Sequence, residues 1–198
     1  MTVNNLKSIM NGELKIAEII EGCRANKRVA QEQLYKMYFG KMLSVCLRYF
    51  KDRDTAQEVL QEGFIKVFDK LQSYDNIGSF DGWIRRIIAN TAIDTIRKSK
   101  RDHLYVENDW QLGETNDDFT EDQELSQLLE LKSEIAMKAI QSLSPAYKMV
   151  FNLFVFENYS HKEIAAELDI SEGTSKSNFA KAKQNLQKIL TQKFVNLD

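Results

Sequence analysis

Three groups of side chains in this sequence have types and spacings that could do chemistry. Arg86, Asn90, Asp94, Arg97 and Arg101 recur every three or four residues, a spacing that lines one side of a helix with a polar, mainly basic stripe. Thr174, Ser175, Lys176, Ser177, Asn178 and Lys181, followed by Lys183, form a second polar and basic group. Cationic groups so arranged suit successive phosphates, and the hydroxyls and amides among them can reach base edges. Gln57, Glu58, Gln61 and Glu62 make a third group of opposite character, acidic and amide-bearing. Taken singly, each would also pass for an ordinary solvated helix face.

The chemistry of an enzyme is missing. There is no phosphate-binding glycine loop and no cluster spaced like metal ligands, so neither cofactor nor metal is expected. The two histidines, His103 and His161, lie in unrelated places, and His161 reads as a surface residue of a helical first turn. Cys23 and Cys46 sit in helical patterns without ligand-like spacing and are expected to be buried free thiols. No apolar run resembles a signal peptide or approaches the roughly 20 residues needed to cross a bilayer. A cytoplasmic protein without membrane insertion is the expectation.

The elements that must position these groups read as helices. With one proline, Pro145, and 8 glycines in 198 residues, the chain has few helix breakers. Ile16, Ile19, Ile20 and Cys23 mark a first helix, which Gly22 is expected to weaken or end. Leu34, Tyr38, Met42, Val45 and Tyr49 mark a second. Asp54, with Gln57 three residues on, is the expected N-cap of a third, whose apolar stripe runs from Val59 to Leu71. Ser73 to Gly78 (SYDNIG) is a loop, and a helix from Phe80 to about Lys100 turns Trp83, Ile84, Ile87, Ile88, Ala92 and Ile96 inward.

Composition then changes abruptly. Between Asp102 and Glu124 the carboxylates of Asp102, Glu107, Asp109, Glu114, Asp117, Asp118, Glu121, Asp122 and Glu124 meet no lysine or arginine, which reads as a flexible acidic linker. Periodicity resumes at Leu125, and Ser144-Pro145 starts another helix. Ser160 and Glu163 form a capping box, Asp169-Ile170 leaves that short helix, and Ser171 caps a second one from Glu172 to about Leu190. Two helices and a tight turn make a helix-turn-helix, with Thr174 to Lys181 at the front of its second helix. The formal net charge of −2 is therefore a sum over basic helices and one acidic tether.

The stretch DTAQEVLQEGFIKVFDKLQSYDNIGSFDGWIRRIIANTAIDTIRKSKR resembles region two of the extracytoplasmic-function (ECF) sigma factors, in the sigma-70 family. SLSPAYKMVFNLFVFENYSHKEIAAELDISEGTSKSNFAKAKQNL resembles region four of the same family. The resemblance implies an all-α fold of two helical domains joined by the acidic flexible linker: a region 2 bundle over 13–101, the linker over 102–124 and a region 4 helix-turn-helix over 125–195. It implies a non-enzymatic subunit that docks on core RNA polymerase, on the β′ coiled coil and the β flap, and directs initiation at promoter DNA. Gln57, Glu58, Gln61 and Glu62 would face the coiled coil. Tyr74, Asp75, Asn76, Arg86, Asn90, Arg97 and Arg101 would melt and hold the downstream promoter element, Asn90 matching the family's pocket asparagine. Thr174, Ser175, Lys176, Ser177, Asn178 and Lys181 would read the upstream element. An anti-sigma partner is also implied.

One departure bears on specificity. Where family members often carry arginines on the recognition helix, this chain has Lys176, Lys181 and Lys183 with Asn178, and lysine lacks the fork that reads guanine in two bonds. Two other readings compete: a free-standing dimeric regulator, which would bind an operator without polymerase, and an inactive partner of sigma factors, which complete DNA-contact surfaces disfavour.

Overall fold

A computed structural model describes residues 15–75, 77–101 and 121–194. Every regular element among them is helical: α1 over 15–24, α2 (Arg28–Leu47), α3 (Arg53–Lys70), a 3-10 turn (Leu71–Ser73), α4 (Phe80–Arg101), α5 (Glu121–Ser142), α6 (Pro145–Val155), α7 (His161–Leu168) and α8 (Glu172–Phe194). Packing divides the chain into two compact units, one made of the chain to Cys46 and Asp52–Ala92, the other of Leu47–Lys51 and Ile93 onward. Most of the acidic segment, 102–120, lies outside the described residues.

The first unit closes over the apolar stripes of α1 to α4, with Ile20, Leu34, Met42, Leu60, Phe64 and Ile88 all buried. Gly22 does not end α1. The helix runs through it, because a Cβ there would stand 2.6 Å from Ala30 Cβ, and glycine lets α1 and α2 meet. The end comes at Asn26, whose φ of 54° is left-handed. Asn26 N–H donates to Cys23 O (2.9 Å) and Lys27 N–H to Gly22 O (3.0 Å), which satisfies carbonyls the helix would leave orphaned. The same close approach recurs at Gly63 of α3, where a Cβ would meet Ile88 Cδ1 of α4 at 2.5 Å.

The cap of α3 is Asp52, and not Asp54. Asp52 Oδ2 accepts from the backbone N–H and the hydroxyl of Thr55, both at 2.7 Å. An N-cap side chain reaches the third residue of its helix, which is Thr55, while Asp54 lies inside the first turn, where a carboxylate favours the helix dipole. The Thr55 bonds hold the Asp52 carboxyl below its ordinary pKa.

In the second unit α5, α6 and α7 pack on α8 around Ala139, Ile140, Leu143, Ala182 and Leu186, with Tyr147, Phe151 and Phe156 against them. α5 begins at Glu121, ahead of the residue where apolar periodicity resumes. Pro145 opens α6 as expected, although Ser144 makes no side-chain cap bond. α8 continues to Phe194, past Leu190. Cys23 and Cys46 are buried free thiols, and no helix among the described residues is long and apolar enough to cross a membrane.

One buried charge stands out. Lys148 is 8% exposed, with its ammonium 3.5 Å from Tyr49 O. Burial, with help from the charge of Lys51, pulls its pKa down to about 8. The depressed value means that the charged form destabilises the fold below pH 8, and that this penalty fades as pH rises from there toward the unfolded value. Lys148→Met is expected to stabilise the chain at pH 7 by about 1–3 kcal/mol. Denaturant titrations across pH 7 to 10 should show the gain over the wild type shrinking above pH 8; a gain independent of pH would assign it to packing alone.

Candidate nucleic-acid and protein-docking surfaces

The outer face of α3 carries the acidic and amide group. Glu58 and Gln61 are exposed and Gln57 and Glu62 half-buried, with Glu62 paired to Lys66 one turn on at 3.1 Å. Such an exposed pair adds only a few tenths of a kcal/mol, so the face remains available. Ile65 falls in the same stripe, 61% exposed. An isolated apolar residue outside the buried stripe gives no sequence signal, and Ile65 is found only from its exposure.

The loop after α3 and the start of α4 share an aromatic cluster. Tyr74 is buried, its ring 5.2 Å from Phe80 and 5.1 Å from Trp83, and Phe80 and Trp83 stack at 5.5 Å. The Tyr74 hydroxyl donates to Gly78 O at 3.1 Å. Tyr74 therefore faces inward, so its ring does not present a stacking platform. Asp75 is exposed and accepts from Ile77 N–H at 3.0 Å; Asn76 lies outside the described residues. Along α4, Arg86 is exposed, Asn90 half-buried, and Arg97 half-buried beside Asp94 at 3.7 Å. The Arg97 guanidinium also donates to Glu167 O. Arg101 ends the helix.

Sequence reasoning missed Arg24. Its guanidinium donates to the carbonyl oxygens of Leu71 (3.3 Å) and Tyr74, while Gln72 donates back to Arg24 O at 2.8 Å. Nothing local marks such a residue, because its partners lie far along the chain.

The helix-turn-helix assembles from its caps. Ser160 Oγ accepts from Glu163 N–H, and the Glu163 carboxylate accepts from Ser160 N–H at 2.8 Å, a complete capping box. Asp169, at φ 52°, ends α7, with Ile170 N–H donating to Ala165 O at 3.0 Å. Ser171 Oγ then accepts from Thr174 N–H at 3.0 Å and starts α8. Thr174, Lys176, Ser177 and Lys181 are exposed and Asn178 half-buried. Lys176 pairs with Glu172 at 2.7 Å, and Lys183 lies over the Phe179 ring at 5.8 Å.

Two residues there differ from expectation. Ser175 is fully buried, so its hydroxyl points away from any base. His161 is not a free surface residue: its ring stacks on Phe154 at 4.6 Å and meets Phe179 edge-on at 5.8 Å. His161 Nδ1 and Ser175 Oγ lie 2.9 Å apart, a bond joining α7 to α8 inside the motif. Removing one member of such a pair leaves the other without its partner, which costs about 1–3 kcal/mol, whereas removing both can be nearly neutral. Ser175→Ala and His161→Phe are thus expected to be coupled. A double-mutant cycle by chemical denaturation should give the double variant a smaller loss than the sum of the singles, by about 0.5–1.5 kcal/mol. Additive losses would mean that the bond contributes nothing.

Among the described residues no group of side chains could hold a metal ion. The protein-family profile for sigma-70 region 2 matches residues 34–102, and that for sigma-70 region 4 matches 133–186. The chain is 27% identical over 184 residues to the ECF RNA polymerase sigma factor SigW of Bacillus subtilis, covering 90% of this chain and 98% of that protein. It is 28% identical over 182 residues to the ECF RNA polymerase sigma-E factor of Escherichia coli, covering 88% and 94%. To the ECF RNA polymerase sigma factor SigE of Mycolicibacterium smegmatis it is 26% identical over 162 residues, 80% of this chain but 61% of the relative. A solved structure of the sigma factor RpoE with the anti-sigma factor NepR from Bartonella quintana has the same fold, with TM-score 0.53, 19% identity and coverage of 81% and 96%.

Proposed function

The chain belongs to the sigma-70 family, among its extracytoplasmic-function sigma factors, and we propose that it binds core RNA polymerase and directs initiation by recognising and melting promoter DNA. The observation that carries this reading is the presence of regions 2 and 4 in series. A helix-turn-helix alone would serve a repressor equally well. Region 2 has no use in a protein that only grips duplex DNA.

In this reading the segments 13–101 and 125–195 are the two working domains, with 102–124 as the linker between them. The α3 face of Gln57, Glu58, Gln61 and Glu62 docks on the β′ coiled coil, its carboxylates meeting a basic surface, and the second domain meets the β flap. Asp75, Asn76, Arg86, Asn90, Arg97 and Arg101 handle the downstream element. An unpaired base needs polar edge contacts above a cationic floor, and Asn90 beside Arg86 on α4 supplies both. Thr174, Lys176, Ser177, Asn178 and Lys181 face the upstream element. Tyr74 and Ser175, turned inward, act by fixing the loop and the recognition helix. The protein works in the cytoplasm, and the anti-sigma factor bound to the Bartonella protein makes a similar regulator a fitting partner here.

The decisive experiment is transcription by core polymerase on a promoter library, with and without this protein, where promoter-specific starts should depend on it. No such starts would refute the assignment. Asn90→Ala should lower initiation by about tenfold or more, as loss of one or two contacts to a flipped base predicts, while core binding in a pull-down stays unchanged. Equal loss of both would indicate a folding defect.

A further inference from the structure

Leu47–Lys51 lies between two stretches of the first unit, yet it packs with the second. Side chains of α5 and α6 hold its carbonyls. Gln141 donates to Leu47 O at 2.6 Å and Asn152 to Arg48 O at 3.2 Å, and the Lys148 ammonium lies 3.5 Å from Tyr49 O. The Arg48 guanidinium donates to Glu157 Oε1 at 2.7 Å and covers the Phe156 ring at 4.2 Å. This ion pair is shut away from water, its side chains 12% and 2% exposed. Elsewhere the same unit is held by apolar residues, Ala139, Ile140, Leu143, Ala182 and Leu186. Here the grip is polar and incompletely matched. Arg48 Nε and Asn152 Oδ1 are buried and find no hydrogen-bond partner among the described residues. Lys148, its pKa pulled down to about 8 by burial, still carries a charge at neutral pH. A buried ion pair roughly balances Coulomb attraction against lost hydration, and water would satisfy each unmatched group as the contact parted. Such a contact holds and still opens readily.

We propose that this grip is a latch that closes in the polymerase-free chain, weakens its hold on promoter DNA and opens when core polymerase binds. The inference rests on the sigma-factor reading and adds regulation to it. Two further observations give the latch its direction. Arg97, which that reading assigns to the downstream element, is occupied within the same unit: its guanidinium donates to Glu167 O at the end of α7 and lies 3.7 Å from the Asp94 carboxylate. The closed state therefore competes with DNA for a cation. In addition α3, which that reading docks on polymerase, begins at Arg53, just after the gripped segment. Polymerase taking α3 thus pulls on the residues that Gln141, Asn152 and Glu157 hold. The affinity of the free chain for DNA is lowered by the share of molecules that are closed.

The test uses the full chain in two measurements. Spin labels at Arg53→Cys and Ser142→Cys, both exposed positions, report by pulsed EPR whether the gripped segment and α5 stay together; adding core polymerase should lengthen the distance. Fluorescence anisotropy then follows polymerase-free binding to promoter DNA whose downstream element is unpaired. Glu157→Gln and Gln141→Ala should each bind about fivefold more tightly than the wild type, the second guarding against a folding defect in the first. Lys148→Met removes the buried charge, tightens the latch and should bind more weakly by about the same factor. Saturated with core polymerase, all three should initiate within roughly twofold of the wild type, since the latch is then open in each. A distance unchanged by core polymerase would overturn the latch. So would variants that differ in stability yet bind DNA as the wild type does, which would leave these bonds as ordinary packing. Wild-type chain that supports no initiation would instead refute the sigma-factor reading, a separate failure because the DNA titrations need no polymerase.

Discussion

Backbone groups at the helix ends are the constraint on which this structure turns. A chain built from helices leaves donors at each start and acceptors at each finish, and every one must find a partner or face water. With a single proline and few glycines, the chain meets that demand with side chains and left-handed residues. Asp52, Ser160 and Ser171 accept from the first turns of α3, α7 and α8. Asn26 and Asp169 take positive φ where α1 and α7 end, and Asn158 does so in the turn between α6 and α7, a conformation that asparagine and aspartate tolerate better than most residues. Each cap contributes about 1 kcal/mol, which is modest beside core burial. Its larger effect is to fix the residue at which a helix starts, and so which side chains face outward.

That dependence is clearest in the helix-turn-helix. Ser160 and Ser171 set the phase of α7 and α8, and shifting either start by one residue would rotate the following helix by about 100°. Lys176 and Lys181 point outward, and Ser175 inward, because Ser171 caps where it does. The His161–Ser175 bond then holds the two helices in one register beside the Phe154–Phe179 contact. A buried polar pair is a demanding choice for a small core, since either group alone would be penalised. It excludes neighbouring packings that an all-apolar contact would accept.

The part of the fold visible in the sequence is the part decided locally. The capping box at Ser160, the break at Asp169, Pro145 at the start of α6 and the apolar stripes of α2 to α4 all follow from residues within one or two turns of each other. Where distant packing decides, the local pattern misleads. Gly22 reads as a breaker until Ala30 is seen against it. Ser175 looks like a contact residue because its neighbours are, and only the position of α7 reveals it as interior. Tyr74 looks like a stacking platform until Phe80 and Trp83 enclose it. Arg24 gave no signal, because it acts on carbonyls nearly fifty residues away.

Charge and rigidity account together for a protein that acts without catalysing. On the proposed reading, basic side chains on α4 and α8 would give affinity for a polyanion but no information about its sequence. Selectivity must come from a few polar and apolar groups held still relative to the cations, since a mobile side chain would surrender its ordering entropy on every encounter. The bonds of Arg24 and Tyr74 tie the turn after α3 to α1 and α4, and those of Ser171, His161 and Ser175 hold the start of α8 on α7. Both surfaces thus carry their ordering cost in the folded chain. On the proposed reading, what would remain at the promoter is the energy of deforming the duplex, to be met by the bound polymerase and the preset side chains together.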